Sequence, residues 1–285
     1  MKALFLYNPS SGRGFSKKNV DYIYNNLKDI FAVFDIYASK SKEDFINTSK
    51  NSGLNYDVLL FAGGDGTFNM VVNALANEDK KPILGIFPTG TVNDAAKNFN
   101  IFRGIKKNCK IIKNNVIKEF DILKINNNYG VFVAAIGQYA NIPYIVKRDK
   151  KKFVGAFAYY FNAIPKIFKK RKYEYEIDAN DTRISIKSSF LLAMNSSRVG
   201  GFKINPHSDN SDGKMDIIYT EGGAFNGLLR YLFKSKKVKT ISTDKAIIKT
   251  NCDDMWDIDG EAYPSGDVEI NVIPKAFKIF ANIKK

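Results

Sequence analysis

Apolar and polar positions follow one rhythm in the first part of the chain and another after residue 120. Up to about residue 118, short apolar runs alternate with segments whose apolar residues recur at helical spacing. Strands separated by helices predict a parallel α/β sheet, with its ligand beyond the carboxyl ends of the strands. The predicted strands are Ala3–Asn8, Val33–Ala38, Val58–Ala62 and Ile83–Phe87.

Helix starts are predicted from capping residues. Ser16 opens a helix that carries Val20, Ile23, Leu27 and Ile30 on one face. Ser41 and Asp44 have the spacing of a capping box for the next helix.

After Phe120 the pattern becomes that of hairpins. Strand-like segments flank the turns Asn126–Asn128 and Asn180–Asp181, which predicts a mostly antiparallel β region. The segments Asp121–Ile125 and Tyr129–Ala135 flank the first of these turns, and helices are predicted at Gly155–Lys170 and Ala224–Lys234. We therefore predict an α/β domain over 1–120 and a β domain over 121–274, and residues 275–285 could return to the first.

Composition narrows the class of partner only a little. Lys and Arg number 44 against 29 Asp and Glu, a net charge of +15, which favours anionic partners such as a nucleotide or an acidic membrane. A Lys-rich proteome would explain the same excess. No nucleic-acid-reading motif accompanies the charge, so we expect no nucleic-acid partner.

Cysteine usage favours a reducing compartment, and hydropathy argues against a membrane-spanning helix. Cys109, Cys252 and a single histidine support neither a disulfide framework nor a zinc site. The start of the chain lacks a signal pattern, and no apolar run approaches the roughly 20 residues of a membrane-spanning helix. We expect a cytoplasmic protein whose membrane contact is peripheral.

Two strand-to-helix turns carry the candidate chemistry. Gly63-Gly64-Asp65-Gly66-Thr67 lets the backbone approach a polyphosphate, with Asp65 placed where a phosphate-bound Mg²⁺ would lie. Thr89, Gly90, Asn93 and Asp94 follow the next strand and can bond ribose or phosphate, although they could equally cap a helix. Two such turns at neighbouring strand ends would form one cleft.

A third turn, Asn8-Pro9-Ser10-Ser11-Gly12-Arg13-Gly14, follows the first strand and could contact the same nucleotide. It does not fit G-x-G-x-x-G, and the chain lacks G-x-x-x-x-G-K-[ST]. A dehydrogenase and a P-loop enzyme are therefore disfavoured.

These three turns, with Gly200-Gly201, Asn205-Pro206, the run from Ser211 to Asp216 and the late Asp259-Gly260-Glu261, resemble the diacylglycerol kinase catalytic family over essentially the whole chain. That family includes bacterial soluble diacylglycerol kinases and the sphingosine and ceramide kinases. The first turn alone is shared with NAD kinases and phosphofructokinases.

The resemblance implies an ATP-binding α/β catalytic domain of the phosphofructokinase and NAD-kinase type, followed by a β-sandwich domain for a lipid substrate. It implies a kinase that transfers the γ-phosphate of ATP to a lipid hydroxyl, above all that of diacylglycerol. The implied nucleotide site comprises Asn8, Pro9, Ser10, Ser11, Gly12, Ser39, Gly64, Asp65, Gly66, Thr67, Thr89, Gly90, Asn93 and Asp94.

The implied catalytic carboxylates are Asp259 and Glu261, with Asp65 orienting Mg-ATP. Their i, i+2 spacing would make Asp259 and Glu261 face the same way in an extended segment, and either could be the base. By itself, a D-G-E run is more often a turn with solvated acids.

A structural Mg²⁺ site is also implied by the resemblance, at Asp212 with the carbonyls of Asp209 and Lys214. Oxygen ligands of this kind suit Mg²⁺. Without the resemblance, this run would be an ordinary turn.

Met70 departs from the family pattern, which has Glu at this position. A thioether cannot accept a hydrogen bond from ribose as a carboxylate can, which puts rate or nucleotide preference in doubt. A weakly active or non-catalytic nucleotide-binding member, a kinase of another lipid such as a sphingoid base, phosphatidylglycerol or isoprenol, and a kinase of a small soluble acceptor stay open as alternatives.

A basic and aromatic stretch is a candidate for docking at an anionic membrane surface, at the inner face of the membrane. It runs from Lys147 to Lys172, although its aromatic residues could equally form the buried face of a helix. Homodimer formation also stays open.

Overall fold

The computed structural model describes residues 1–10, 15–137, 172–221 and 238–282. The chain divides into two compact units, one comprising Met1–Phe120 with Lys275–Lys285 and the other Asp121–Pro274. The helices predicted at Gly155–Lys170 and Ala224–Lys234, and the basic stretch except Lys172, lie outside the described residues. No helix in the described ranges is both long and apolar enough to cross a membrane.

The first unit alternates strands and helices. Its strands are β1 (Lys2–Tyr7), β2 (Val33–Ala38), β3 (Val58–Gly63) and β4 (Ile83–Pro88). Its helices are α1 (Lys17–Leu27), α2 (Lys42–Asn55), α3 (Asp65–Leu75), α4 (Asp94–Asn98) and α5 (Ile105–Asn114).

The four strands form a parallel sheet in the order β2, β1, β3, β4. Tyr7 is in register with Ala62, and Gly63 with Pro88, so β1, β3 and β4 end at one edge. The turns that follow these strands therefore begin side by side. The predicted parallel α/β fold class is confirmed for this unit.

Burial explains why the sheet forms where it does. All six residues of β3 are buried, as expected for a strand covered on both faces. A cluster of aromatic rings, Phe68, Phe99, Phe120 and Phe277, packs at centroid distances of 5.1 to 6.2 Å. These contacts join α3 and the end of α4 to Phe120, where the chain leaves this unit, and to Phe277, after the chain has returned to it.

The predicted helix caps are present. The hydroxyl of Ser16 accepts a hydrogen bond from the amide of Asn19, and that of Ser41 accepts one from the amide of Asp44. The prediction that Ile30 lies on the apolar face of this first helix was wrong. Because α1 gives way to a 3₁₀ turn at Lys28–Ile30, Ile30 rotates off the apolar face and is 40% exposed.

The second unit is made of β strands. They are β5 (Ile117–Ile125), β6 (Asn128–Gly130), β7 (Val133–Gly137), β8 (Tyr173–Ala179), β9 (Thr182–Met194), β10 (Arg198–Val199), β11 (Phe202–Lys203), β12 (Met215–Glu221), β13 (Val238–Thr243), β14 (Lys245–Thr250), β15 (Trp256–Ile258), β16 (Glu261–Tyr263) and β17 (Val268–Phe280). The chain leaves the first unit within β5 and returns to it within β17.

The described strands of this unit pair antiparallel in the order β16, β15, β7, β9, β8, β14, β17. Strand β12 pairs with β9 and with β13 and so forms a branch. The core includes the fully buried side chains of Tyr175, Ile217, Ile248 and Trp256. The prediction of a mostly antiparallel β-sandwich domain is confirmed.

The single strand predicted over Tyr129–Ala135 was wrong. The structure divides it into β6 and β7, with the break at Val131 and Phe132. The backbone N–H groups at this break donate to the carboxylate of Asp259 instead of to a neighbouring strand. A long-range contact therefore interrupts the strand.

Candidate active site

The two glycine turns of the first unit touch each other. The amide of Thr89 donates to the carbonyl of Gly63 over 2.8 Å. A Cβ atom added to Gly64 would lie 2.9 Å from the Cα of Gly90, and one added to Gly90 would lie 2.6 Å from the Cα of Gly64. Only glycine fits at both positions, so the backbones of the turns form one continuous surface.

Asp65 joins these turns through its carboxylate. One oxygen accepts a hydrogen bond from the amide of Asn93 over 2.9 Å, and the other accepts one from the amide of Ala95 over 2.8 Å. The carboxylate thereby caps the amino-terminal end of α4, where N–H groups lack helical partners. Asp65 is thus a structural link, and a role toward Mg-ATP stays a prediction.

Opposing effects act on the carboxyl group of Asp65, and together they raise its pKa. Burial raises the pKa of its carboxyl group, and the neighbouring Asp94 raises it further. The hydrogen bonds from Ala95 and Asn93 oppose both effects, because they stabilise the ionised form.

Asn93 carries an unsatisfied acceptor beside the glycine contact. Its backbone is left-handed, with φ of 57°, and its side-chain amide donates to the carbonyl of Gly90 over 2.8 Å. The Oδ1 atom is buried and accepts no hydrogen bond from the part of the chain that the structure describes. Buried acceptors are normally satisfied, so this oxygen requires a donor from outside the described residues.

Arg103 stabilises the turn that contains Thr89 and Gly90. Its guanidinium donates to the carbonyls of Gly90 and Thr91, the latter over 3.2 Å. Sequence reasoning missed this residue, since no motif surrounds it. It fixes the peptide planes of the turn that carries Thr89 and Gly90.

The third turn is described in part. The side-chain oxygen of Asn8 accepts a hydrogen bond from the amide of Ser10 over 2.8 Å, which makes an Asx turn, and Pro9 and Ser10 are exposed. Ser11 and Gly12 lie outside the described residues. Ser39 is buried, and both its amide and its hydroxyl donate to the carbonyl of Tyr7 at the end of β1.

A cavity of about 60 Å³ adjoins the first and third turns. Its lining residues come from the ends of β1 and β3, from the first turn of α2 and from the first two turns of α3. They are Asn8, Lys42, Phe45, Ala62, Thr67 and Met70. Lys42 and Phe45 were not predicted as site residues.

In the second unit, Asp259 is anchored to the backbone. Its carboxylate accepts hydrogen bonds from the amides of Val131, Phe132 and Val133 at 2.5, 2.9 and 3.0 Å. Gly260 follows it in a two-residue turn between β15 and β16, with φ of 52° at Asp259 and 91° at Gly260. Positive φ at both positions is typical of a type I′ hairpin turn.

The carboxylate of Glu261, unlike that of Asp259, is not held by hydrogen bonds to described residues. Glu261 is exposed at the start of β16, and its side chain makes no hydrogen bond or ion pair with another described residue. The two acids would face the same way only in an extended segment, and the segment is not extended, because Asp259 and Gly260 form the hairpin turn. The side chain of Glu261 therefore faces solvent, whereas the amides at the β6–β7 break hold the carboxylate of Asp259.

Similarity to known proteins identifies the family. Residues 2–125 match the diacylglycerol kinase catalytic domain, and residues 133–281 match the YegS C-terminal NAD kinase beta sandwich-like domain. A diacylglycerol kinase of Bacillus subtilis strain 168 is 32% identical over 76% of this chain and 73% of its own length. The chain belongs to the diacylglycerol kinase family. It is a kinase, a phosphotransferase.

Solved structures of similar fold agree with both units. A diacylglycerol kinase from Bacillus anthracis strain Sterne matches with a TM-score of 0.81 at 20% identity, covering 99% of this chain and 97% of that one. An NAD kinase from Archaeoglobus fulgidus, solved in complex with ATP, matches with a TM-score of 0.57 at 13% identity over 99% and 94%. The diacylglycerol kinase and NAD kinase folds therefore share this architecture.

The loop proposed for a structural metal in this family member is shaped by Asp121. This fully buried carboxylate accepts a hydrogen bond from the amide of Gly213 over 2.7 Å, and the amide of Asp121 donates to the carbonyl of Asn210. Asp209 and Asp212 are exposed, and the carboxylate of Asp212 accepts from the amide of Lys214. Exposed carboxylate oxygens such as these are ligands of the kind that Mg²⁺ prefers, and a metal at this loop stays a prediction.

Asp121 was not predicted as a site residue of this kinase. The sequence feature that could have pointed to it is an acidic residue between the apolar residues Phe120 and Ile122, at a position that a β strand would bury. A carboxylate in such a position needs hydrogen-bond donors, which the amide of Gly213 supplies.

Proposed function

We propose that this chain is an ATP- and Mg²⁺-dependent lipid kinase whose acceptor is the hydroxyl group of diacylglycerol. The observation that carries the proposal is the contact between Gly64 and Gly90, braced by Asp65. Such a surface presents backbone amides at close approach, as polyphosphate binding requires. The relatives named diacylglycerol kinase support the acceptor.

The first unit is the donor-binding part in this proposal. The glycine turns hold the phosphates of ATP, and the orphan Oδ1 of Asn93 accepts a hydrogen bond from the bound nucleotide or its water. Mg²⁺, when bound, neutralises charge on the phosphates. Asp65 would orient Mg-ATP, and the loop at Asp212 would hold a separate, structural Mg²⁺ through oxygen ligands, which this ion prefers.

Glu261 is the general base in this proposal. As the hydroxyl oxygen of the lipid bonds to the γ-phosphorus, the bond from that phosphorus to the bridging oxygen breaks, and ADP leaves with the electron pair. Glu261 takes the hydroxyl proton, because its carboxylate is exposed and unengaged among the described residues. Asp259 is a positioning residue that holds the hairpin against the β6–β7 break.

The experiment is transfer of labelled phosphate from γ-labelled ATP to a panel of acceptors. Mixed micelles of diacylglycerol, ceramide, a sphingoid base, phosphatidylglycerol and an isoprenol are compared with soluble NAD. Labelled phosphatidic acid as the main product supports the proposal. Label transferred to NAD or to another lipid in preference to diacylglycerol contradicts the proposed acceptor, and no transfer to any acceptor contradicts the kinase mechanism.

A further inference from the structure

The strand that leads into the hairpin of Glu261 carries a buried carboxylate, that of Asp257. All three residues of β15 are buried, and Asp257 is 6% exposed. The other two positions hold the apolar residues Trp256 and Ile258. Burying a carboxylate is unfavourable unless hydrogen-bond donors meet it. An acid at this strand position therefore needs donors.

One donor to Asp257 comes from the tip of the hairpin. The Oδ1 atom of Asp257 accepts a hydrogen bond from the amide of Gly260 over 2.7 Å. The amide of Asp259, the other residue of the turn, donates to the carbonyl of Val133 over 3.0 Å. Both amides of the two-residue turn are thus held, one by the backbone of β7 and the other by the side chain of Asp257.

Gly260 is a position at which such a hydrogen bond restricts the chain strongly. Its φ of 91° lies in the region that glycine favours, and glycine has the widest conformational freedom of all residues. Gly260 is exposed, and a Cβ added to it would meet no described atom within 4 Å. Because neighbouring atoms do not crowd this side of Gly260, its amide hydrogen bond confines the turn one residue before Glu261.

The strand that begins at Glu261 has little other support among the described residues. Strand β16 has three residues, lies at the end of the sheet and pairs with β15. Strand β15 is itself paired with β7 through two residues, Asp257 and Ile258. Segments with few such contacts open easily. A hydrogen bond within the turn therefore contributes to the position of Glu261.

We propose that Asp257 is a positioning residue, which sets the side chain of Glu261 for proton transfer by holding the amide of Gly260. The inference rests on the proposed function, in which Glu261 is the base. Asp257 acts through Glu261, since its own carboxylate is buried and bonded to the turn. Asp259 ties the hairpin to the β6–β7 break, whereas Asp257 fixes the shape of the turn itself.

Steady-state kinetics of variants at position 257 test this role. Asp257→Val removes the acceptor and keeps a β-branched residue in the strand. We expect kcat to fall about tenfold or more, with KM for ATP and for diacylglycerol within about threefold, because a misplaced base weakens the transition state and not substrate binding. Asp257→Asn keeps Oδ1 and is expected to retain kcat within about threefold. Asp257→Ala takes the place of Asp257→Val if a thermal melt shows that the latter does not fold.

The matched control is Asp267→Val in the same unit. The carboxylate of the exposed Asp267 also accepts a hydrogen bond from a backbone amide, that of Thr250 over 3.1 Å. This amide lies outside the hairpin, so the control is expected to retain full kcat. An equal loss of kcat in Asp257→Val and in the control overturns the inference.

A double-mutant cycle with Glu261→Gln separates positioning from a general loss of structure. If Asp257 acts through Glu261, Asp257→Val lowers kcat by less than about threefold in a chain that already carries Glu261→Gln. The inference is overturned by an equal loss in both backgrounds, by an unchanged kcat in Asp257→Val alone, or by an Asp257→Asn variant as impaired as Asp257→Val. Full activity of Glu261→Gln alone instead contradicts the proposed base, and the inference falls with it.

Hydrogen exchange of the Gly260 amide, measured by NMR on the full chain without substrate, needs neither a variant nor kinase activity. We expect this amide to exchange at least about tenfold more slowly than in an unfolded peptide, because it is bonded to a buried carboxylate. Exchange at the unfolded rate overturns the inference, whatever the kinetics of the variants.

Discussion

Removing the carboxylate of Asp65 is expected to loosen the joined glycine turns. Asp65→Ala leaves the amides of Asn93 and Ala95 without their acceptors, in residues that are 4% and 0% exposed. An unsatisfied buried amide costs about 1–3 kcal/mol. Burial raises the pKa of Asp65, so removing its charge recovers part of that cost, and we expect a net loss of about 2–4 kcal/mol in the free energy of unfolding.

Urea unfolding followed by circular dichroism measures this loss, and hydrogen exchange of a peptide covering 88–98 shows whether it is local. Asp44→Ala is the matched control, because its carboxylate also accepts from a backbone amide, that of the exposed Lys40, and in addition from the hydroxyl of Tyr37. Water can replace the carboxylate at both donors, so the control is expected to lose about 1 kcal/mol or less. Unchanged protection of 88–98 in Asp65→Ala, or equal losses in both variants, would refute the bracing role of Asp65.

Other substitutions probe the same surface and the two thiols. Gly90→Ala is expected to destabilise the fold by about 1–3 kcal/mol, because its Cβ would overlap the backbone of Gly64. A Cβ at Gly66 would meet no atom within 4 Å, so Gly66→Ala is expected to keep its melting temperature. The same variant is expected to weaken ATP binding in calorimetry. Arg103→Met is expected to weaken ATP binding about tenfold with little change in melting temperature, and an unchanged dissociation constant contradicts its role. Burial raises the pKa of Cys109 and of Cys252 to about 11, so neither is expected to react quickly with a disulfide reagent at pH 8 unless urea unfolds the chain.

The parallel sheet of the first unit could be predicted from sequence because its determinants are local. Strands β1, β3 and β4 are short apolar runs, and helices α1 and α2 begin at Ser16 and Ser41, whose side chains cap amides of the helix that follows. The adjacency of the glycine turns follows from the same regularity, since parallel strands end at one edge.

The contacts that shape the site are long-range, and no local pattern records them. Asp65 meets amides 28 and 30 residues away. Asp259 meets amides 126 to 128 residues away and thereby interrupts a strand that its own sequence favours. Arg103 binds carbonyl groups, which every residue possesses, so its partners leave no trace in sequence.

The division of roles between the two late acids also depends on geometry. Both residues were candidate bases in sequence. Three amides hold the carboxylate of Asp259, whereas the hairpin turn leaves the side chain of Glu261 exposed and without a hydrogen bond to described residues.

The most direct measurement is the turnover number for diacylglycerol phosphorylation by three variants under saturating ATP. Glu261→Gln is expected to lose about 100-fold or more, the usual contribution of a general base, with its melting temperature unchanged. Asp259→Asn is expected to lose both activity and thermal stability, since the carboxylate that the three amides share becomes a carboxamide. Glu176→Gln, at an exposed strand position of the second unit, is the control and is expected to retain full activity. Full activity in Glu261→Gln, with the control equally active, would contradict the assignment of Glu261 as the base of a lipid kinase.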